Sequence, residues 1–130
     1  MERFLSMETD VHTLSPLTLA LIGDGVYELM VRERLVCEAN RSAGDLHRAA
    51  VRLVCAQAQS AAMQRLEPCL SEQEAAVYRR GRNAHTPRTG RDYHQATGLE
   101  TLFGYLYLRG EIDRLRGLFS ICMGDTTTDA

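Results

Sequence analysis

Apolar residues recur at helical spacing along most of the chain, and this periodicity limits the fold more than any other feature of the sequence. The longest such segment runs from Pro16 to about Cys37, with Ser15 placed to cap its first turn. No segment alternates apolar and polar residues as a half-buried strand does, and no repeat of solenoid length occurs. We therefore predict an all-α fold with five main helices.

Capping residues and breakers set the bounds of the other four helices. Ser42 with Asp45, and Ser71 with Glu74, have the spacing of capping boxes. The further predicted helices span 46–66, 71 to about 80, 93–109 and 111 to about 123. Residues 81–90 hold two glycines, a proline and no apolar periodicity, which predicts an exposed loop. The tail, 124–130, is expected to fray.

The length and the apolar content limit the chain to one folded unit. With 130 residues and 45% hydrophobic content, it can build one core but not two comfortable ones. We predict a single domain over 1–130 with its core at about 12–122. The apolar stretch Leu17–Ile22 is far too short to span a membrane, and no signal-peptide pattern precedes it. We therefore expect a cytoplasmic protein without a membrane partner.

The four cysteines do not form a recognisable metal or disulfide pattern. They are widely spaced, lack a C-x-x-C pair and mostly have apolar neighbours in a helical pattern. We expect reduced core thiols at Cys37, Cys55, Cys69 and Cys122.

The basic residues are unusual in type and in distribution. All fifteen are arginine, and five of them fall between positions 79 and 91, where Asp92 is the only acid nearby. Arginine suits bidentate contact with phosphate, so a cationic patch is expected on a chain whose net charge is −2. A solvated loop in a chain with a codon bias toward arginine remains the plain alternative.

Two acids lie in the two most apolar predicted helices. Asp24 follows Gly23 and precedes Gly25, and Glu100 has Gly98 and Gly104 nearby. A carboxylate withdrawn from water needs a cation, a metal or a shifted pKa. An arginine pair or a solvent-facing helix side would also satisfy each acid. Small neighbours leave room for a hydrated ion, and oxygen ligands open to water suit Mg²⁺.

Other polar and aromatic side chains are weaker candidates. Glu28 lies one turn after Asp24 and could be a third ligand, although an exposed or arginine-paired glutamate is the commoner case. His47 and His94 are better explained as hydrogen-bonded or RNA-facing histidines than as general bases, since no nucleophile signature accompanies them. The remaining aromatic candidates are predicted to be packing residues: Tyr27, Tyr105 and Tyr107.

Several segments resemble the ribonuclease III family. The segment Leu-Ile-Gly-Asp-Gly-Val-Tyr-Glu, 21–28, resembles the signature that carries a metal-binding aspartate, and Gly-Leu-Glu-Thr-Leu-Phe-Gly-Tyr-Leu-Tyr-Leu, 98–108, resembles the second signature with its glutamate. Segments 14–24, 46–50 and 78–84 are similar to the short bacterial branch, Mini-ribonuclease III. The resemblance covers about 12–120.

The resemblance implies a fold, a reaction and partners. It implies the helical bundle of a ribonuclease III endonuclease domain, acting as a homodimer that hydrolyses both strands of double-stranded RNA, with Mg²⁺ held by Asp24 and Glu100. The family role would be maturation of the large-subunit (23S) ribosomal RNA precursor, with a large-subunit ribosomal protein as a candidate further partner. No double-stranded RNA-binding domain is expected, so the arginine segment, residues 79–91, would hold the phosphates, through Arg79, Arg80, Arg82, Asn83, His85 and Arg88.

Two departures from the longer family members keep an alternative open. In those enzymes four acids surround the metals, and at two of the corresponding positions this chain has Ala20 and Thr97. The number of metal ions per site is therefore undecided. The alternative is a catalytically silent RNA-binding or ribosome-associated module on the same fold. A helical interaction protein without an RNA partner would be consistent with composition alone.

Overall fold

The computed structural model describes residues 3–125 and over this range forms six α-helices and no strand. The helices are α1 (Pro16–Glu38), α2 (Ala43–Val54), α3 (Ala56–Leu66), α4 (Glu72–Arg82), α5 (Arg91–Leu108) and α6 (Ile112–Cys122). Short 3₁₀ helices, Val11–Thr13 and Glu67–Cys69, precede α1 and α4. The all-α prediction is confirmed, and of the predicted tail only residues 124 and 125 lie within the described range.

Ser15, Ser42 and Ser71 cap helices as predicted, and Ser71 with Glu74 forms the reciprocal capping box, whereas at Ser42 the bond is the one from the Asp45 amide to the hydroxyl. The Ser15 hydroxyl oxygen accepts a hydrogen bond from the Thr18 amide (3.1 Å), so α1 begins at Pro16 as its sequence predicts. The Ser71 hydroxyl accepts from the Glu74 amide (3.1 Å), while the Glu74 carboxylate accepts from the Ser71 amide (2.9 Å). These hydrogen bonds satisfy main-chain N–H groups that the first turn of a helix leaves unpaired.

The predicted helix at 46–66 is wrong in one respect, because the chain breaks it at Cys55 into α2 and α3. Cys55 is extended, with φ −65° and ψ 160°, yet its amide still bonds the Val51 carbonyl and its carbonyl accepts from the Gln59 amide. Neither glycine nor proline marks the break. It turns α3 so that it packs against both α5 and α6, which is a tertiary effect that local patterning does not report.

Helix α5 is the centre of the bundle, packed by α1, α3 and α4. Its buried positions run without interruption from Ala96 to Leu99 and from Thr101 to Leu106, as expected of a helix covered on all sides. Tyr27 of α1 meets the rings of Phe103 and Phe119 edge-on, at centroid distances of 5.2 and 5.7 Å. The expectation that the tyrosines are packing residues is confirmed for Tyr27 and for Tyr105, both of which are buried.

The cysteines differ from expectation. Cys122 is a buried thiol whose pKa burial raises to about 12. Cys37, Cys55 and Cys69 are free and exposed, so the prediction of core thiols is wrong for them. They lie near the end of α1, at the α2–α3 break and in the second 3₁₀ helix, where the core no longer covers the chain.

Within 3–125, no helix combines the length and apolar character that crossing a membrane requires.

Candidate active site

Helices α1 and α5 cross with their backbones in direct contact. A Cβ atom on Gly23 would lie 1.7 Å from the main-chain oxygen of Glu100, and one on Gly104 would lie 1.9 Å from the main-chain oxygen of Leu19. No larger residue fits either position without moving a helix. The crossing therefore places Asp24, the residue after Gly23, beside Glu100. Gly25 has open space around it, so close helix packing explains Gly23 but not Gly25.

The two predicted catalytic acids lie in different environments. Glu100 is partly buried, and burial raises its pKa to about 7, with further increases from the charges of Asp24 and Glu28. Asp24 is exposed to solvent, so the expectation that apolar neighbours bury it is wrong. Its helix carries apolar residues on several faces, and only some of those faces meet the core.

A buried glutamine that the sequence analysis missed contacts Glu100. Gln59 of α3 is 2% exposed, and its Nε2 donates to the Glu100 Oε2 (3.3 Å) and to the Val54 carbonyl (3.0 Å). This hydrogen bond works against the increase in the Glu100 pKa, since it favours the ionised carboxylate. No local pattern indicated the contact, because the break at Cys55 creates it.

The other candidates near the acids have separate partners. Glu28 forms an ion pair with Arg32, one turn along α1. The Thr97 hydroxyl donates to the Tyr93 carbonyl (3.0 Å), and Ala20 is buried. His47 is exposed on α2. Within residues 3–125, no three side chains of His, Cys, Asp or Glu are arranged to hold a metal ion.

The arginine segment, residues 79–91, comprises the end of α4, the loop after it and the first residue of α5. Arg79 and Arg80 are exposed on the last turn of α4, and Arg82 ends the helix. Arg82 stacks over the Tyr78 ring and Arg88 over the Tyr93 ring, each at 5.5 Å from the ring centroid. A cavity of about 430 Å³ opens at the loop. Its lining comprises Arg82, Asn83, Ala84, His85, Thr86, Arg88, Thr89 and His94.

The charges of this segment are not neutralised by the part of the chain described. No carboxylate between residues 3 and 125 pairs with Arg79, Arg80, Arg82 or Arg88. By contrast, Arg34, Arg109 and Arg114 each hold an acidic side chain. The His94 Nδ1, at the edge of the loop cavity, is buried without a partner among the described residues. The segment thus keeps its guanidinium groups available to an outside anion.

Known proteins are similar to this chain over most of its length. The Ribonuclease III domain model matches residues 17–111. The chain is 50% identical over 108 residues to a Mini-ribonuclease 3 of Symbiobacterium thermophilum, covering 79% of this chain and 83% of that protein. It is 42% identical over 116 residues to a Mini-ribonuclease 3 of Thermoanaerobacter sp., covering 85% and 82%.

A solved structure shares the helical arrangement. The crystal structure of a Fusobacterium nucleatum protein superposes with a TM-score of 0.79 at 26% identity, covering 90% of this chain and 98% of that one. The matched family segment, 17–111, contains α5, all of α1 except Pro16, and the arginine segment. With the family model spanning most of the chain, and with relatives this similar over most of their length, the chain belongs to the ribonuclease III family of endoribonucleases, in its Mini-ribonuclease 3 branch.

Proposed function

We propose that the chain hydrolyses the phosphodiester bonds of double-stranded RNA, with Asp24 and Glu100 as its catalytic metal-binding carboxylates. The observation that carries the proposal is the α1–α5 crossing, which holds the two acids together despite their mutual repulsion. A pair of like charges kept beside each other costs free energy in the absence of a cation. Such a cost is typical of a site built for function rather than for stability.

The residues present fit Mg²⁺. This ion is commonly held by one or two carboxylates and keeps several of its waters, so a three-residue cage is not required. The Gln59 Nε2 donates to the Glu100 Oε2 (3.3 Å) and favours the ionised carboxylate that a cation requires. When bound, Mg²⁺ supplies the Lewis acidity that polarises a phosphate and acidifies an attacking water. Asp24 and Glu100 would hold the ion, and Glu100 would have to be ionised to do so.

The arginine segment is the proposed phosphate clamp. Arg79, Arg80, Arg82 and Arg88 have no carboxylate partner in the described chain, and Asn83 and His85 add hydrogen-bonding groups at the same cavity. Contacts of this kind hold the RNA backbone, position the strand relative to the acids and carry little sequence information.

The exposed apolar residues of α1 support assembly as a homodimer. Ile22, Leu29 and Val36 are exposed and lie seven residues apart, which places them on one side of the helix. Leu21, which is 79% exposed, adjoins them beside Asp24. An apolar stripe on a two-turn period is suited to pairing with the same stripe of a second copy. Two subunits would then bring two carboxylate sites to one duplex, one for each strand.

The proposed natural substrate is the precursor of large-subunit (23S) ribosomal RNA, with a large-subunit ribosomal protein as a candidate partner. Support for this substrate is the likeness to Mini-ribonuclease 3 proteins across most of the chain. A catalytically silent RNA-binding module is the second candidate. It is favoured by Ala20, which is buried, and by Thr97, whose hydroxyl is engaged by its own helix.

Incubation with duplex RNA and Mg²⁺ separates the two candidates. We expect cleavage by the native chain, and a decrease of more than about 100-fold in Asp24→Asn and in Glu100→Gln, because even groups that only support metal ligands typically contribute 10- to 100-fold. Glu72→Gln is the control, an exposed acid in the first turn of α4. Salt-sensitive duplex binding without product under any divalent ion would support the silent module instead.

A further inference from the structure

Gln59 is a buried polar side chain in a helix that otherwise packs through apolar or small residues. Its side chain lies between α2, α3 and α5, with 2% of the residue exposed. Burying an amide costs free energy unless its groups are hydrogen-bonded. A leucine or methionine at this position would fill the same space without that cost, so packing alone does not explain the glutamine.

The two partners of Gln59 fix the orientation of its amide. Val54 offers a main-chain carbonyl at 3.0 Å and Glu100 offers a carboxylate oxygen at 3.3 Å, and both are acceptors when Glu100 is ionised. The NH₂ group must therefore face both of them, and the Oε1 must face away. The bond to Val54 anchors the amide to the end of α2, so the hydrogen bond to Glu100 comes from a fixed donor.

The unpartnered oxygen of the same amide is the second observation. The Gln59 Oε1 is buried and accepts no hydrogen bond from the described residues. A buried acceptor is normally satisfied, and leaving one unpaired costs free energy. The unpaired oxygen therefore adds to the cost of keeping an amide at this position, and the contacts that the glutamine makes are the two hydrogen bonds of its NH₂ group.

We propose that Gln59 is a positioning residue of the metal site, which holds the Glu100 carboxylate in place through the hydrogen bond from its NH₂ group. The inference rests on the proposed function of Asp24 and Glu100. The side chain acts through Glu100.

Metal binding measured without RNA tests the role directly. Mn²⁺ is titrated into the native chain and into Gln59→Met, which keeps the side-chain length, with detection by electron paramagnetic resonance. We expect the Kd for Mn²⁺ to rise by about 10-fold or more. RNA cleavage by the variant should be low at limiting Mg²⁺ and should return to within a few-fold of native at saturating Mg²⁺.

Ser60→Ala is the matched control for a structural effect. Ser60 is the next residue on α3, is 3% exposed, and donates from its hydroxyl to the Gln95 side chain of α5. Its replacement should lower the thermal midpoint but leave the Mn²⁺ affinity within about 2-fold, as expected for a group that touches no proposed ligand. If Gln59→Met fails to fold, Gln59→Asn keeps the amide, withdraws it by one methylene and should show the same loss of affinity.

The outcomes distinguish the role of Gln59 from the proposed metal-binding function of Asp24 and Glu100. Native Mn²⁺ affinity in a folded Gln59 variant with a lowered thermal midpoint would show that the glutamine is structural only. Unchanged Mn²⁺ binding in Asp24→Asn and Glu100→Gln would overturn the metal site itself, and with it the role of Gln59, before any Gln59 variant is made.

Discussion

The backbone of Glu100 occupies the space in which a side chain of Gly23 would lie. A Cβ atom on Gly23 would sit 1.7 Å from the Glu100 carbonyl oxygen and 2.7 Å from the Gly104 amide nitrogen. The two helices thus meet at main-chain distance at the position where both candidate ligands emerge. The geometry of the carboxylate pair depends on a residue that itself carries no functional group.

Replacing Gly23 by alanine should therefore damage both the fold and the site. The methyl group must push α1 from α5, which we expect to lower the free energy of unfolding by about 3 kcal/mol, at the upper end of overpacking costs. Gly25→Ala is the control, because nothing lies within 4 Å of the position that its methyl group would take; alanine there should be neutral or stabilising by up to about 1 kcal/mol. Chemical denaturation measures both, and equal stability of the two variants would contradict the proposed crossing.

Glu100→Gln should stabilise the metal-free protein at alkaline pH. Burial and Asp24 raise the pKa of Glu100 to about 7, above the ordinary glutamate value of about 4.3. Between these values the folded chain holds more protons than the unfolded chain, so stability falls as pH rises through this window. Glutamine avoids the loss. At pH 8 in EDTA the variant should be more stable than the native chain by an amount on the order of 2 kcal/mol. One pKa unit corresponds to about 1.4 kcal/mol, and solvent screening reduces the effect because Glu100 is only partly buried.

The same comparison at pH 4 provides the internal control. Below the ordinary glutamate pKa, Glu100 is protonated in both states, and the native chain and the variant should have nearly equal midpoints. A stability difference that does not change between pH 4 and pH 8 would contradict the raised pKa. Mg²⁺ should reverse the order at pH 8, because only the native chain retains both carboxylates for the ion.

The sequence predicted features that depend on near neighbours. Ser15 and Ser71 cap helices because a hydroxyl and an amide three residues apart suffice for the bond. The pairing of Asp24 with Glu100 also came from the sequence, through resemblance to a family and through the apolar helices that carry both. The family is confirmed by the comparisons, while the roles of the two residues stay predictions.

The missed features depend on which surfaces meet in space. Helix α1 is apolar on several faces, so its pattern did not indicate that Leu21 and Asp24 would be exposed. The break at Cys55 has no glycine or proline, and it is this break that turns Gln59 toward Glu100. Neither result follows from a local rule, because each depends on the position of α5 relative to the rest of the chain.

Glu74 should contribute stability that acid removes. It is 7% exposed, accepts from the Nε and Nη2 of Arg114 (2.8 Å each), and its pKa is lowered chiefly by that hydrogen bond. A lowered folded-state pKa means that the contribution is complete above about pH 4.3 and is lost as pH falls through the lower value. Glu74→Gln should cost about 1–3 kcal/mol at pH 7.

Thermal unfolding of a matched pair measures this contribution. Glu72→Gln changes an exposed acid in the same first turn of α4 and should shift stability by less than about 0.5 kcal/mol. The gap between Glu74→Gln and the native chain should narrow below pH 4. A gap that persists at pH 2 would assign the loss to packing rather than to the ion pair with Arg114.

The arginine segment should set the salt dependence of duplex RNA binding. In an inactive Asp24→Asn background, Arg82→Ala and Arg88→Ala should each weaken binding and reduce the slope of log K against log salt by roughly one, as for the loss of one phosphate contact. Arg109→Ala is the control, at the other end of α5 and already paired with Glu111. A slope unchanged by Arg82→Ala and Arg88→Ala would remove this segment from the RNA interface.

The exposed stripe on α1 leads to a prediction about assembly. Leu21 is 79% exposed in a single copy, so Leu21→Asp should leave the folded monomer within about 0.5 kcal/mol of native stability, as is usual for surface substitutions. In a homodimer the same carboxylate would be buried against an apolar surface, at a cost of several kcal/mol. Sedimentation equilibrium should therefore show a native dimer and a Leu21→Asp monomer. Val51→Asp is the control, since Val51 is another exposed apolar residue, 47% accessible, on α2. This variant should remain dimeric.

Because Leu21 lies one turn before Asp24, loss of the dimer should also reduce cleavage of both strands. A monomeric Leu21→Asp variant that still cuts both strands at the native rate would separate catalysis from assembly.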